Sequence, residues 1–155
     1  MKNKSHALAG MISLIFILAI LIAGWKGYRH NWELPTRVLQ MVGMDKRDCT
    51  VAKRVYWYDF LKYTDGYEAL VISVPEDWKI PDGWRNDAVS LREAQQVYGL
   101  SAAALEKLDA GALPEAYQAQ FYSECGEKGD REFFVGLYDG NGTVLVYRGH
   151  HLYGI

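Results

Sequence analysis

Residues 132–148 read EFFVGLYDGNGTVLVYR, two runs of strand-forming residues around a four-residue turn. Val, Phe, Tyr and Leu suit a pleated, half-buried surface, and Asp139-Gly140-Asn141-Gly142 supplies the positive-φ positions that a tight hairpin requires. Apolar residues fall on both alternations, with Phe133, Val135 and Leu137 against Phe134 and Tyr138, so both faces of this sheet are expected to be at least partly covered. The turn has the look of a calcium loop. That register, however, would put Leu137 at the first ligand position and Arg148 where a closing Glu belongs, so no metal is expected.

Working outward, Tyr117 to Glu124 repeats the strand chemistry and is set off by the Gly-containing segment 126–130, which makes the C-terminal third an antiparallel meander. Earlier, Lys53 to Tyr63 and Tyr67 to Val74 are rich in Val, Ile, Tyr, Phe and Trp and flank Thr64-Asp65-Gly66, the signature of a second hairpin. Two short helices are expected between these sheet segments. Ser90-Leu91-Arg92-Glu93 has the form of a capping box, with Leu91, Ala94 and Val97 expected on one face, and Gly99 is placed to end that helix in a left-handed conformation. Ser101 caps a second helix through Leu105 and Leu108, which Gly111 can end. The fold class that follows is α+β.

Ser90 to Pro114 also resembles the helix-turn-helix of the excisionase and MerR-like DNA-binding families, over about a sixth of the chain. The likeness lies in the Arg-Glu-Ala start, the turn Tyr98-Gly99-Leu100-Ser101 and the exit at Ala110 to Pro114. It implies a second helix that reads DNA. Such a helix presents Arg, Lys, Asn or Gln to bases and phosphates, whereas this one offers Ala102, Ala103, Ala104, Glu106, Lys107 and Asp109. The bland alternative, two capped helices packed on a sheet, explains the same spacing, and a DNA-binding regulator stands as the least favoured function.

At the other end of the chain, residues 7–25 read ALAGMISLIFILAILIAGW, nineteen positions without a charge and ten of them Leu, Ile or Phe. A helix crossing the roughly 30 Å hydrocarbon core needs about 20 such residues, and the ten large apolar residues favour insertion by roughly 3 to 6 kcal/mol. A cleaved secretory signal is the competing reading, because Lys2 and Lys4 form a basic start and Ile22-Ala23-Gly24 resembles a cleavage site. The apolar core is longer than such signals use, and Trp25, Tyr28 and Trp32 suit an interfacial belt. The reading is an anchor over 1–30, a juxtamembrane stalk over 31–48 that includes a short helix with Val38, Leu39 and Val42 on one side, and an extracytoplasmic domain over 49–155.

The basic side chains flanking the span are nearly balanced, so orientation leans on cysteine. Cys49 and Cys125 are the two in the chain, an even number that suits a disulfide in an oxidising compartment, the alternative being two small buried thiols. A bond between them would close a loop of about 75 residues and add about 4 kcal/mol through lost unfolded-state entropy. The expected place is the inner membrane, single-pass, with the domain outside the cytoplasm. The first thirty residues hold Lys2, Lys4, Lys26 and Arg29 and no acid, which leaves −6 on the remainder. That is a poor partner for nucleic acid.

No Gly-x-Ser-x-Gly, His-Glu-x-x-His or phosphate-cradling loop is present. His150 and His151 point to opposite faces of a strand and cannot readily share an ion; a hydrolase using one of them with a nearby carboxylate is the rival reading. What remains is Trp78, Lys79, Trp84 and Arg85 in the loop from Pro75 to Asp87, residue types that carry interface energy; the alternative is that both tryptophans fold back onto the core. The sequence therefore reads as a non-catalytic protein-binding module that needs no cofactor, either an accessory subunit of an envelope complex or a tethered inhibitor of the immunity or exclusion kind.

Overall fold

The computed structural model describes residues 2–28, 34–58, 65–108, 113–126 and 130–152, in two compact units that divide after Pro35. The first unit is helix α1 (Lys2–Tyr28). Its window Met11–Tyr28 is long and apolar enough to cross a membrane, and none of it is buried by protein. Trp25 and Tyr28 sit 6.3 Å apart at its end; Trp32 lies outside the described residues.

The second unit is built on one antiparallel five-stranded sheet, and α+β describes it. The strands are β1 (Thr50–Tyr58), β2 (Asp65–Ser73), β5 (Ala119–Cys125), β6 (Asp130–Tyr138) and β7 (Thr143–Leu152), with β3 (Val89–Ser90) and β4 (Ala116–Tyr117) forming a separate small ribbon. Their order is β1-β2-β7-β6-β5. The N-terminal hairpin and the C-terminal meander both form as the sequence suggests, and they join through β2 and β7, where Leu70 lies opposite Val146. Gly140 and Gly142 take φ of 78° and 89° in the β6–β7 turn. Asp139 accepts hydrogen bonds there from the amides of Asn141 and Thr143, both 2.8 Å, so the acid closes a turn. The tip of the β1–β2 hairpin lies outside the described residues.

Both faces are covered, as the two alternations require. On one, Ala69, Val71, Phe133, Val135, Leu137, Leu145 and Tyr147 pack against α3 (Leu91–Tyr98) and α4 (Ala102–Lys107). Ser90 caps α3 by accepting from the Glu93 amide at 3.1 Å, Gly99 ends it at φ 68°, and Ser101 accepts from the Ala104 amide at 3.4 Å. Val97 is 66% exposed while Tyr98 is buried. The expected face of Leu91, Ala94 and Val97 is thus shifted, because at 100° per residue position 98 returns to the side of 91 and 94 and position 97 does not. Gly111 lies outside the described residues.

On the other face, Leu70, Ile72, Phe134, Val144 and Val146 pack against Val38 and Leu39 of α2 (Leu34–Met41), against Val42 just after it and against Trp84. The segment read as a stalk therefore also contributes to the core of the domain. Burying three such side chains stabilises by about 1.5–3 kcal/mol each. A short 3₁₀ turn, Lys46–Asp48, leads into β1.

Candidate functional site

Alternation along the strands puts unlike chemistry on the two faces at the end of the sheet where β2 begins and β7 finishes. On the α2 side, charged residues follow one another across the strands. Arg54 Nε on β1 lies 2.8 Å from Glu68 Oε1 on β2, Glu68 stands directly opposite Arg148 on β7, Arg148 pairs with Glu132 on β6, and Arg37 of α2 reaches Glu132 at 3.4 Å. Glu68 is fully buried. Removing one partner of such a pair strands a charge in a low dielectric, whereas the intact pair contributes little net stability.

Across the sheet, on the α3–α4 side, aromatic rings stack in sequence. Trp57 lies 6.2 Å from Tyr67, Tyr67 6.3 Å from Tyr147, Tyr147 5.8 Å from Phe133, Phe133 6.4 Å from Tyr122, and Tyr122 5.2 Å from Tyr98. Gly149 makes this possible, because a Cβ there would fall 2.1 Å from the Phe133 ring. The Tyr147 hydroxyl accepts from the Ser101 amide at 3.1 Å, and burial pushes its pKa up to about 12. Neither row stood out in the sequence. The available signal was Glu68, an acid on the same alternation as Leu70 and Ile72.

The loop residues expected to bind a partner divide. Trp84 is buried, donates its indole N–H to the Val42 carbonyl at 2.8 Å, and lies over Gly136, where a Cβ would be 2.5 Å from the ring. It is a core residue that fixes the loop to the sheet and α2, and little of its indole is left to meet a partner. Trp78 is half-buried, edge-on to Trp84 and 4.9 Å from Tyr138. Lys79 and Arg85 are exposed. Arg85 clamps the loop to β5, exchanging two backbone hydrogen bonds with Gln120 at 2.7 and 2.9 Å and donating to the Tyr98 hydroxyl at 2.7 Å.

The expected disulfide is overturned: Cys49 and Cys125 are both free. Cys49 precedes β1 and Cys125 ends β5, the two outer strands, at opposite corners of the sheet. Four inter-strand steps of about 4.8 Å already separate them by roughly 19 Å, beyond the about 7 Å that a disulfide spans between Cα atoms. Cys49 lines an open cleft of about 720 Å³ with Arg47, Thr50, Ser73, Asp77 and Trp78. Burial, then the charges of Asp48 and Asp45, push its thiol pKa up. Burial and Glu132 do the same to Cys125, so neither thiol has the lowered pKa of an activated nucleophile.

His150 stands opposite Glu132, which stands opposite Cys125. A carboxylate is thus beside the histidine, but its two oxygens are held by Arg148 and Arg37. The side chain of His151 lies outside the described residues. Among the described residues no group of three or more His, Cys, Asp or Glu side chains is placed to hold a metal ion. Lys107, the cation of the helix that resembled a DNA reader, donates instead to the Tyr67 hydroxyl at 3.3 Å. Compared with known proteins, the chain matches no family model, no curated protein and no solved structure.

Proposed function

We propose that this is a single-pass membrane protein whose domain lies outside the cytoplasm, in the envelope, and acts by binding another protein. The observation that carries the reading is the helix Met11–Tyr28, whose one charged side chain is Lys26 near its end and which is covered by no part of the protein. Such a surface is stable in lipid and not in water. The basic side chains on the two sides of the span, Lys2 and Lys4 against Lys26, Arg29 and Arg37, are nearly balanced, and the cysteines no longer contribute to the choice, so the orientation rests on the labelling test below. Binding is supported by Tyr56 and Trp57, large aromatic side chains left exposed on the domain, together with Trp78, Lys79 and Arg85 on the clamped loop. Partner roles as an accessory envelope subunit or as a tethered inhibitor both fit this placement.

Purification of the full chain from membranes in mild detergent tests the reading. A stable complex with envelope proteins supports the subunit role, and a lone chain that captures an incoming foreign protein supports the inhibitor. Release of the chain by carbonate washing contradicts the anchor. A membrane-impermeant maleimide applied to intact cells labels the exposed Cys125 if the domain is outside. The hydrolase reading gains a carboxylate beside His150 but a carboxylate already held by two arginines; an unchanged phenotype when His150 and His151 are both replaced by Ala removes it.

A further inference from the structure

Among the described residues, no strand pairs with the outer edge of β1. After the irregularity at Val51/Lys53, its ladder with β2 is regular from Lys53 to Tyr58, so along these six residues every second one turns its N–H and C=O outward, in register. Such an edge is a template for another strand. Its side chains have a particular order: Lys53, Val55 and Trp57 share the α3–α4 face, and Arg54 and Tyr56 share the other. Tyr56 and Trp57 are 46% and 44% exposed.

We propose that two copies of this chain pair through β1, antiparallel, about a two-fold axis at Val55. In that register Lys53 of each copy lies directly across from Trp57 of the other, and Arg54 directly across from Tyr56. The strand is therefore self-complementary, each cation meeting an aromatic ring on the correct face. Arg54 already adopts such a geometry within one chain, its guanidinium carbon 5.3 Å from the centre of the Tyr56 ring. A register centred on Arg54 would instead set two guanidinium groups against each other. The opposite edge of the sheet is less suited to this role, because Arg85 bridges β5 at Gln120. The pairing depends on neither the orientation of the anchor nor the identity of a foreign partner.

The test uses the full chain in lipid nanodiscs or mild detergent, with Cys49→Ser and Cys125→Ser removing the native thiols. Single cysteines are then placed by Val55→Cys, Tyr56→Cys or Trp57→Cys and mildly oxidised. Val55→Cys forms a disulfide-linked dimer, since a residue on the two-fold meets its own copy, and the other two do so far less. Lys53→Ala, which leaves the backbone ladder and the core intact, weakens the dimer roughly tenfold by removing both Lys53–Trp57 contacts, read by mass photometry with circular dichroism confirming the fold. Three outcomes overturn the inference. One is a chain that stays monomeric, the second is equal or greater cross-linking at Tyr56→Cys or Trp57→Cys, and the third is a dimer in which Val55→Cys does not cross-link, because α1 or another surface then makes the contact.

Discussion

The two outer strands of the sheet are finished differently. At β5 the polypeptide returns and pins the edge at one point: Arg85 bonds the backbone of Gln120 in both directions, Tyr98 donates to the Gln120 side chain, and Trp84 holds the loop down on Gly136. At β1 no described segment pairs with the outer edge, and the strand is fastened from within, through its ladder with β2, the Arg54–Glu68 pair, the stacking of Trp57 on Tyr67 and the packing of Val51 and Val55 into the two cores. An edge left open costs aggregation risk. One edge is thus pinned by a returning loop at Gln120, and the other, under the proposed pairing, is the border that meets a second copy.

The strongest way to break this contrast is to remove what holds each edge. Glu68→Ala strands the Arg54 guanidinium at a site that is 14% exposed and is expected to cost about 3–5 kcal/mol, measured by denaturant unfolding, with amide exchange rising along β1 and β2 first. Trp84→Ala is expected to cost about 3–5 kcal/mol through the cavity it leaves, but with exchange rising in residues 75–88 and at Gln120. If both variants loosened the same strands, the edges would not be independent.

Smaller changes sharpen the contrast. Gly149→Ala puts a Cβ into the Phe133 ring and is expected to cost about 1–3 kcal/mol by overpacking, with near-ultraviolet circular dichroism reporting the disturbed aromatic row. Gln120→Ala, which removes the buried partner of Tyr98, is expected to cost about 1–3 kcal/mol and to loosen the β5 edge alone. The smallest effect lies at the entry to β1. Arg47, hydrogen-bonded to the Asp45 carboxylate at 2.6 Å, holds that carboxyl at about 2, below its ordinary 3.8. A depressed carboxyl stabilises the fold above its ordinary value and loses that contribution as pH falls from 3.8 towards 2. Asp45→Asn should therefore flatten the acid limb of the stability curve in that interval only, followed by tryptophan fluorescence. Arg47 is 87% exposed and Asp45 42%, so the change should be slight.

Much of the fold was legible because local chemistry and tertiary structure agree. The turn Asp139 to Gly142, the caps at Ser90 and Ser101 and the left-handed Gly99 are decided within a few residues, and both alternations of β6 announced two covered faces. What stayed hidden depends on register between distant strands. Nothing near Cys49 or Cys125 says that they sit at opposite corners, and an even cysteine count suggested a bond that the topology forbids. Arg54, Glu68, Glu132 and Arg148 come from four strands, and their alignment follows from how β2 meets β7. Trp84 looked like a binding residue because its loop is rich in charge; only the Val42 carbonyl and the bare backbone of Gly136 reveal it as core.

The central claim is that the anchored domain makes its contacts through the open edge, and it can be tested in the membrane itself. A photo-cross-linking residue is placed at position 56 or at position 122, two similarly exposed tyrosines on opposite edges, and the full chain is irradiated in native membranes. The account predicts abundant adducts from position 56, dominated by the mass of two chains, and few from position 122. Adducts mainly from position 122, or none from either position, would contradict it.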